Sequence, residues 1–187
     1  MSLEQILNFR RSVRYYDETQ ELNTEKVKHC IELATLAPNS SNMQLWEFYH
    51  ITDPEMLKKM SHACLNQRAT SIAKEIVVFV TRRDLHRKRS KAILEFEKGN
   101  ITRYSPPERQ EKRWKDRFLY YNRLMPFIYS RFFGLLGIFR KILSTSISLF
   151  RPMTTTVSES DMRVVVHKTC GLAAQTFMIA MAEAGYD

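Results

Sequence analysis

The sequence predicts a fold that combines several helices with a few strands, and three observations predict it. Two short runs have strand length: Trp46 to Thr52, and the nearly all-apolar, β-branched Ile76 to Thr81. Around them lie stretches with apolar residues at helical spacing, opened by residues that cap helices. With 187 residues, 44% of them hydrophobic and 26% charged, the chain can bury a real core. One domain is expected over residues 1–187.

The elements follow in order. Ser2 caps a first helix and Gln5 completes a capping box, with Leu3, Ile6, Leu7 and Phe9 on the apolar side. A second helix opens at Asn23 or Thr24, carries Val27, Cys30, Ile31 and Ala34 at i, i+3, i+4 and i+7, and is stopped by Pro38. Asn39 to Gln44 then reads as a loop and Trp46 to Thr52 as a strand. Asp53-Pro54-Glu55 starts a third helix that extends to about Leu65. Ile76 to Thr81 has the pattern of a strand covered on both faces. Glu159 to Gly185 is rich in Ala and Met and reads as a long, mostly buried helix closed by Gly185.

The intervening segment differs. Between Arg82 and Arg151 there are 18 Lys and Arg against 6 Asp and Glu, so the net charge of +9 belongs to this stretch and the remainder is slightly acidic. Residues 85–155 read as a basic, aromatic-rich insertion or lid of two or three helices, broken at Gly99-Asn100 and Pro106-Pro107. Such a surface meets acidic lipid, nucleic acid or an anionic substrate, or is simply a solvated helical face. Within 127–150, Arg131, Arg140 and Lys141 interrupt the apolar residues, which disfavours a membrane span. A helix lying in the membrane interface, or packing on a partner subunit, stays open.

Other classes are excluded more readily. The first nine residues lack the charged and apolar regions of a secretion signal. Cys30, Cys64 and Cys170 are odd in number, far apart and without C-x-x-C spacing, so neither a disulfide framework nor a zinc site is expected. The five histidines are scattered without metal-ligand spacing and read as structural or surface residues. A reducing cytoplasm fits, with membrane association left open by 127–150.

Two constellations carry chemistry. In Arg10-Arg11-Ser12-Val13-Arg14, residues 10, 12 and 14 share a face if the segment is extended, and two guanidiniums with a hydroxyl suit a phosphate. In Ala37-Pro38-Asn39-Ser40-Ser41-Asn42-Met43-Gln44-Leu45-Trp46, a stopped helix is followed by polar side chains with both donors and acceptors. These suit a flavin ring edge or ribityl chain, although Asn and Ser also favour plain turns.

In order and spacing these motifs resemble the N-terminal signature of the FMN-dependent nitroreductase-like family. The resemblance continues at Leu65-Asn66-Gln67 and from His167 to Tyr186, and covers roughly residues 2 to 84 and 159 to 187. It implies an α+β sandwich with a central, mostly antiparallel sheet flanked by helices. It implies that Arg10, Arg11, Ser12 and Arg14 hold FMN, that Asn66 faces its pyrimidine edge, and that Pro38, Asn39, Ser40 and Asn42 reach the flavin of a partner in a homodimer. NADH or NADPH would be co-substrate to a small acceptor such as a nitroaromatic or quinone in a ping-pong cycle, with no catalytic side-chain nucleophile and no metal. Gln44 and Trp46 are expected to brace the loop and core. Family members usually carry a further basic residue after the Asn66 position, where Arg68 and Ala69 stand here. The resembled proteins also continue past the position of Asp187, so a C-terminal part is expected to be missing. That expectation motivates a second reading, an FMN-binding or storage protein without turnover. A third, a membrane-surface or nucleic-acid-binding module, rests on the basic segment with Trp114, Phe118, Tyr120 and Tyr121; nucleic acid is the less favoured partner.

Overall fold

In the computed structural model, which describes residues 2–186, the two runs form strands β1 (Trp46–Ile51) and β2 (Ile76–Thr81). Arg82 N donates to Leu45 O at 2.8 Å, so the start of β1 lies beside the end of β2 and the pair is antiparallel. At the other end the His50 side chain crosses to the residue before β2, with Nε2 2.6 Å from Glu75 Oε2. The sheet has two strands among the described residues. All six residues of β2 are half-buried, which corrects the expectation of a strand covered on both faces. A two-stranded ribbon has too few neighbours to enclose either strand.

The chain divides into two compact units, the first formed by residues 1–38, 47–80 and 170–187 and the second by 39–46 and 81–169. In the first, α1 (Leu3–Phe9) starts at Ser2, whose capping box with Gln5 is complete, and buries only Ile6. Helix α2 (Thr24–Ala34) is capped by Asn23 Oδ1 on Lys26 N and buries Val27, Cys30 and Ala34. Asp53 caps α3 (Pro54–Ala63), which ends two residues before the expected Leu65 because Leu65 and Asn66 take left-handed backbone. A single turn, α4 (Arg68–Ser71), leads into β2. Phe48 and Phe79, with ring centroids 4.8 Å apart, and Phe177, 5.4 Å from Phe79, join the strands to the helix that carries Phe177.

The second unit is helical. Helix α5 (His86–Tyr104) runs through Gly99-Asn100, where a break was expected. Glycine costs a helix only about 1 kcal/mol relative to alanine, and the burial of Ser90, Ile93, Leu94 and Ile101 outweighs that. Pro106-Pro107 does end it, with Pro107 opening α6 (Pro107–Leu119) in the first turn, where its missing N–H is harmless. A π-helical turn, Tyr120–Leu124, joins α6 to α7 (Met125–Tyr129), and buried Ser90 Oγ donates to the Tyr121 carbonyl there. Helix α8 (Leu135–Ser148) follows, so the segment holds more helices than the two or three expected. Its core gathers Met43, Leu45, Ile93, Leu94, Tyr121, Met125, Tyr129, Met162 and Val166.

The last helix, α9 (Glu159–Glu183), is the one described helix long and apolar enough to cross a membrane by length and composition. It gives Met162 and Val166 to the second core and buries Cys170, Ala173, Ala180 and Ala182 in the first, as a core helix does. It is less buried than expected, since Val164, Leu172 and Met178 are exposed. Gly185, at φ +91, supplies the left-handed residue after its end.

Candidate functional site

In the first unit the chain leaves α1 at Arg10 in extended conformation (φ −59, ψ 127), and no regular element forms before α2. Arg11 Nη1 turns back to donate to the carbonyls of Arg10 at 2.9 Å and Leu7 at 3.5 Å, finishing α1. Ser12 and Arg14 are exposed and Arg10 is half-exposed, and among the described residues neither Arg10 nor Arg14 has a carboxylate within ion-pair distance. The Arg10 and Arg14 guanidiniums can therefore each offer paired donors to an anion.

The chain after Arg14 runs beside the turn that carries Asn66. Arg68 lies 3.5 Å from Glu18 and 5.9 Å from the centroid of the Tyr15 ring, which ties α4 to residues 15–18. Asn66 is exposed at φ 52, its N–H held by the Ser61 carbonyl at 2.9 Å. Arg68, the basic residue nearest that position in sequence, already engages an acid and a ring, so it makes a poorer anion ligand than Arg10 or Arg14. A cavity of about 540 Å³ lies against Val13, Tyr15, Ile72, Phe177 and Tyr186. Asp17, Glu18, Glu21 and Glu75 also line it against Lys74 alone, which is the wrong sign for a phosphate.

The polar loop belongs to the second unit, apart from Pro38, which is exposed at the end of the first unit's segment. Ser41, Asn42 and Gln44 have φ of 54, 52 and 47, costly for residues with a Cβ unless bonds hold them. Those bonds are present. Asn39 Oδ1 accepts from Gln44 N at 2.9 Å, and Asn42 Oδ1 from Gln44 Nε2 at 3.1 Å. Met43 and Leu45 anchor the loop in the core, and Trp46 is buried, so Gln44 and Trp46 brace as expected.

Sequence reasoning missed the tyrosines that complete this loop. Tyr120 and Ser41 hydroxyls are 2.7 Å apart, and Tyr121 Oη donates to the Ser41 carbonyl at 3.1 Å. Burial raises the phenol pKa of Tyr121 and Tyr129, which keeps both protonated as donors. Tyr121 is a core residue and Trp114 packs against the same core, so the Tyr121 ring is not part of the free basic surface on which the membrane or nucleic-acid reading rested. The signal that could have found them is the pair of adjacent tyrosines within an otherwise charged helix.

Two arginines of the basic segment are structural. Arg83 donates to the carbonyls of Tyr129, Glu159 and Ser130, and Arg140 to those of Val157, Phe127 and Ser130. Burial lowers the pKa of both guanidiniums, against the pull of Glu159. Glu159 Oε1 accepts from Phe132 N at 3.0 Å, and that bond first, then the N–H groups of Gly134 and Gly137, hold its pKa below the usual value against the effect of burial. No group of three or more His, Cys, Asp and Glu among the described residues could hold a metal. Cys30 and Cys170 are buried thiols and Cys64 is half-buried, all free.

Comparison with solved structures gives the class. An FMN complex of a protein from Exiguobacterium sibiricum matches with a TM-score of 0.62 at 21% identity, over 100% of this chain and 72% of that one. A nitroreductase family protein from Streptococcus pneumoniae also scores 0.62, at 18% identity over 98% and 73%. The fold is thus the α+β nitroreductase-like fold. The model of the nitroreductase family matches residues 7–187, and the chain belongs to that family. Among curated relatives, the oxygen-insensitive NADPH nitroreductase of Helicobacter pylori is 31% identical over 75 residues, 40% of this chain and 36% of that protein. The chain's matches span about a third of the length of the curated relatives.

Proposed function

We propose that the chain is the FMN-binding part of a homodimeric, cytoplasmic NAD(P)H-dependent oxidoreductase that reduces a small acceptor such as a nitroaromatic or a quinone. The observation that carries this reading is the irregular segment with Arg10, Ser12 and Arg14 after α1, whose Arg10 and Arg14 guanidiniums lack a carboxylate partner among the described residues. The donor set fits a phosphate monoester in charge and geometry. Family membership and the FMN complex of the Exiguobacterium protein support the choice of flavin.

Bound FMN supplies the redox chemistry, and the residues of the chain bind, orient and tune it. Arg10 and Ser12 grip the phosphate, with Arg11 lending backbone. Arg14 adds positive charge that favours the reduced, anionic form. The Asn66 amide pairs with polar ring-edge atoms, while Pro38, Asn39, Ser40 and Asn42 present a fixed surface to the flavin of the partner subunit. NAD(P)H and the acceptor use the same open face in turn, which requires no nucleophilic side chain. Residues 85–155 act in this reading as an insertion whose tyrosines set the shape of the 39–44 loop.

The test is flavin retention. Purified chain with added FMN should show flavin absorbance that co-elutes with protein and is lost in Arg10→Ala/Arg14→Ala; undiminished colour in that variant would overturn the assignment. Oxidation of NADH or NADPH with a quinone or nitro acceptor separates an enzyme from a storage protein.

A further inference from the structure

Helix α8 presents the wrong face to its own protein. Leu135, Ile138, Phe139, Ile142 and Leu143, at i, i+3, i+4, i+7 and i+8, form one apolar stripe, and all five are exposed. The buried side consists of Gly137, Arg140 and Ser144. This orientation is fixed. Arg140, 2% exposed, donates to three carbonyls that only this rotation reaches, and a Cβ at position 137 would lie 2.7 Å from Glu159 N. Turning the stripe inward would break those bonds and drive a larger residue against the start of α9.

The flanks extend the same surface. Phe133, at φ 46, is 94% exposed before the helix, and Phe150 is 89% exposed after it. Beside these rings stand Arg131 and Arg151, both exposed, with exposed Lys141 between. The sequence contains no Asp or Glu between Asp116 and Glu159. A second copy of the chain would meet this face with the same cations, because a two-fold contact sets a patch against itself. An anionic lipid surface offers opposite charge and an apolar layer together. Length settles the mode: 14 residues make about 21 Å of helix, short of the roughly 30 Å hydrocarbon core.

We infer that α8, with Phe132-Phe133 and Leu149-Phe150, lies in the plane of an anionic bilayer surface, its stripe in the acyl boundary and Arg131, Lys141 and Arg151 among acidic headgroups. This docking does not depend on the flavin reading.

The experiment is co-sedimentation of the chain with vesicles of phosphatidylcholine containing about one third phosphatidylglycerol. Binding should occur there, fall at least about tenfold on pure phosphatidylcholine, and fall again at about 1 M salt, where the screening length is about 3 Å. Ile138→Ser/Phe139→Ser/Ile142→Ser should weaken binding more than about a hundredfold by removing buried apolar area. Lys141→Glu/Arg151→Glu should cost about ten- to a hundredfold. An unchanged melting temperature and helical circular dichroism certify the fold of each variant, since every substituted residue is exposed. Absence of binding to anionic vesicles, or equal binding by the triple serine variant, overturns the inference. So does a dimer in the ultracentrifuge that the serine variant abolishes while vesicles remain unbound.

Discussion

Two sets of arginines in this chain have opposite fates. Arg10 leaves α1 in extended conformation and Arg14 lies in the irregular stretch that follows, both in the first unit and without a carboxylate partner among the described residues. Arg83 and Arg140 lie in the second unit with their guanidiniums against six backbone-carbonyl contacts. A guanidinium engaged by backbone carbonyls is part of the fold, even where, as at Arg140 Nη2, one buried nitrogen has no partner, and one held open by the fold is available to a ligand. Net charge does not separate the two cases. Most of the formal charge lies in the segment where Arg83 and Arg140 are structural, while the strip proposed to bind phosphate lies in the slightly acidic remainder.

The largest effect that could break this contrast is on flavin. Arg10→Ala/Arg14→Ala should weaken FMN binding by roughly 10² to 10⁴, from two charge-assisted bonds worth about 1.5–3 kcal/mol each. Its unfolding free energy should stay within about 0.5 kcal/mol of the parent, and a large loss of stability on denaturant titration would put these arginines in the structural class. The opposite result is expected for Arg140→Ala. Three carbonyls lose a buried donor, and stability should fall by about 3–5 kcal/mol. Chemical denaturation followed by circular dichroism measures it, and a loss under about 1 kcal/mol would remove Arg140 from the fold's supports.

Smaller changes sharpen the comparison at the loop. Tyr120→Phe removes the bond to the Ser41 hydroxyl and should cost about 1 kcal/mol. Amide hydrogen exchange at residues 40–44 should rise, since left-handed backbone at Ser41 and Asn42 then loses one support. Unchanged exchange would show that Asn39 and Tyr121 suffice.

The smallest effect concerns His86, in the buried arginine environment. Burial lowers its pKa, opposed by the Arg83 carbonyl on Nδ1 and reinforced by Arg87, Arg83 and Arg131. The unfolded chain then binds more protons than the folded one just below the unfolded histidine pKa of about 6.5. Stability from this group is present above that pH and declines as pH falls through it, by at most about 1.4 kcal/mol per pH unit. His86→Gln should flatten this part of the stability profile, whereas a decline of equal slope in the variant would assign it to other groups.

Much of the candidate site is visible along the chain because its features are local. A capped helix followed by R-R-S-V-R brings two arginines and a serine out of the helix end as one local polar segment, whatever packs elsewhere. Pro38 stops a helix regardless of what packs on it, and the polar run after it cannot easily continue one. The tyrosines that support that loop were not legible, because they stand about 80 positions away and no local spacing links them.

The sequence by itself determined the caps at Ser2, Asn23 and Asp53, the two strands and the order of the motifs, since each depends on interactions within a few residues. Tertiary structure decided what no neighbour in sequence could. It carried α5 through Gly99 by burying residues on either side, sent Arg140 inward and the stripe of α8 outward, and left Arg10 and Arg14 open. The physical reason is that a side chain's burial and partners are set by what packs against it across long stretches of chain, whereas its helical or extended backbone is set largely by the residues beside it.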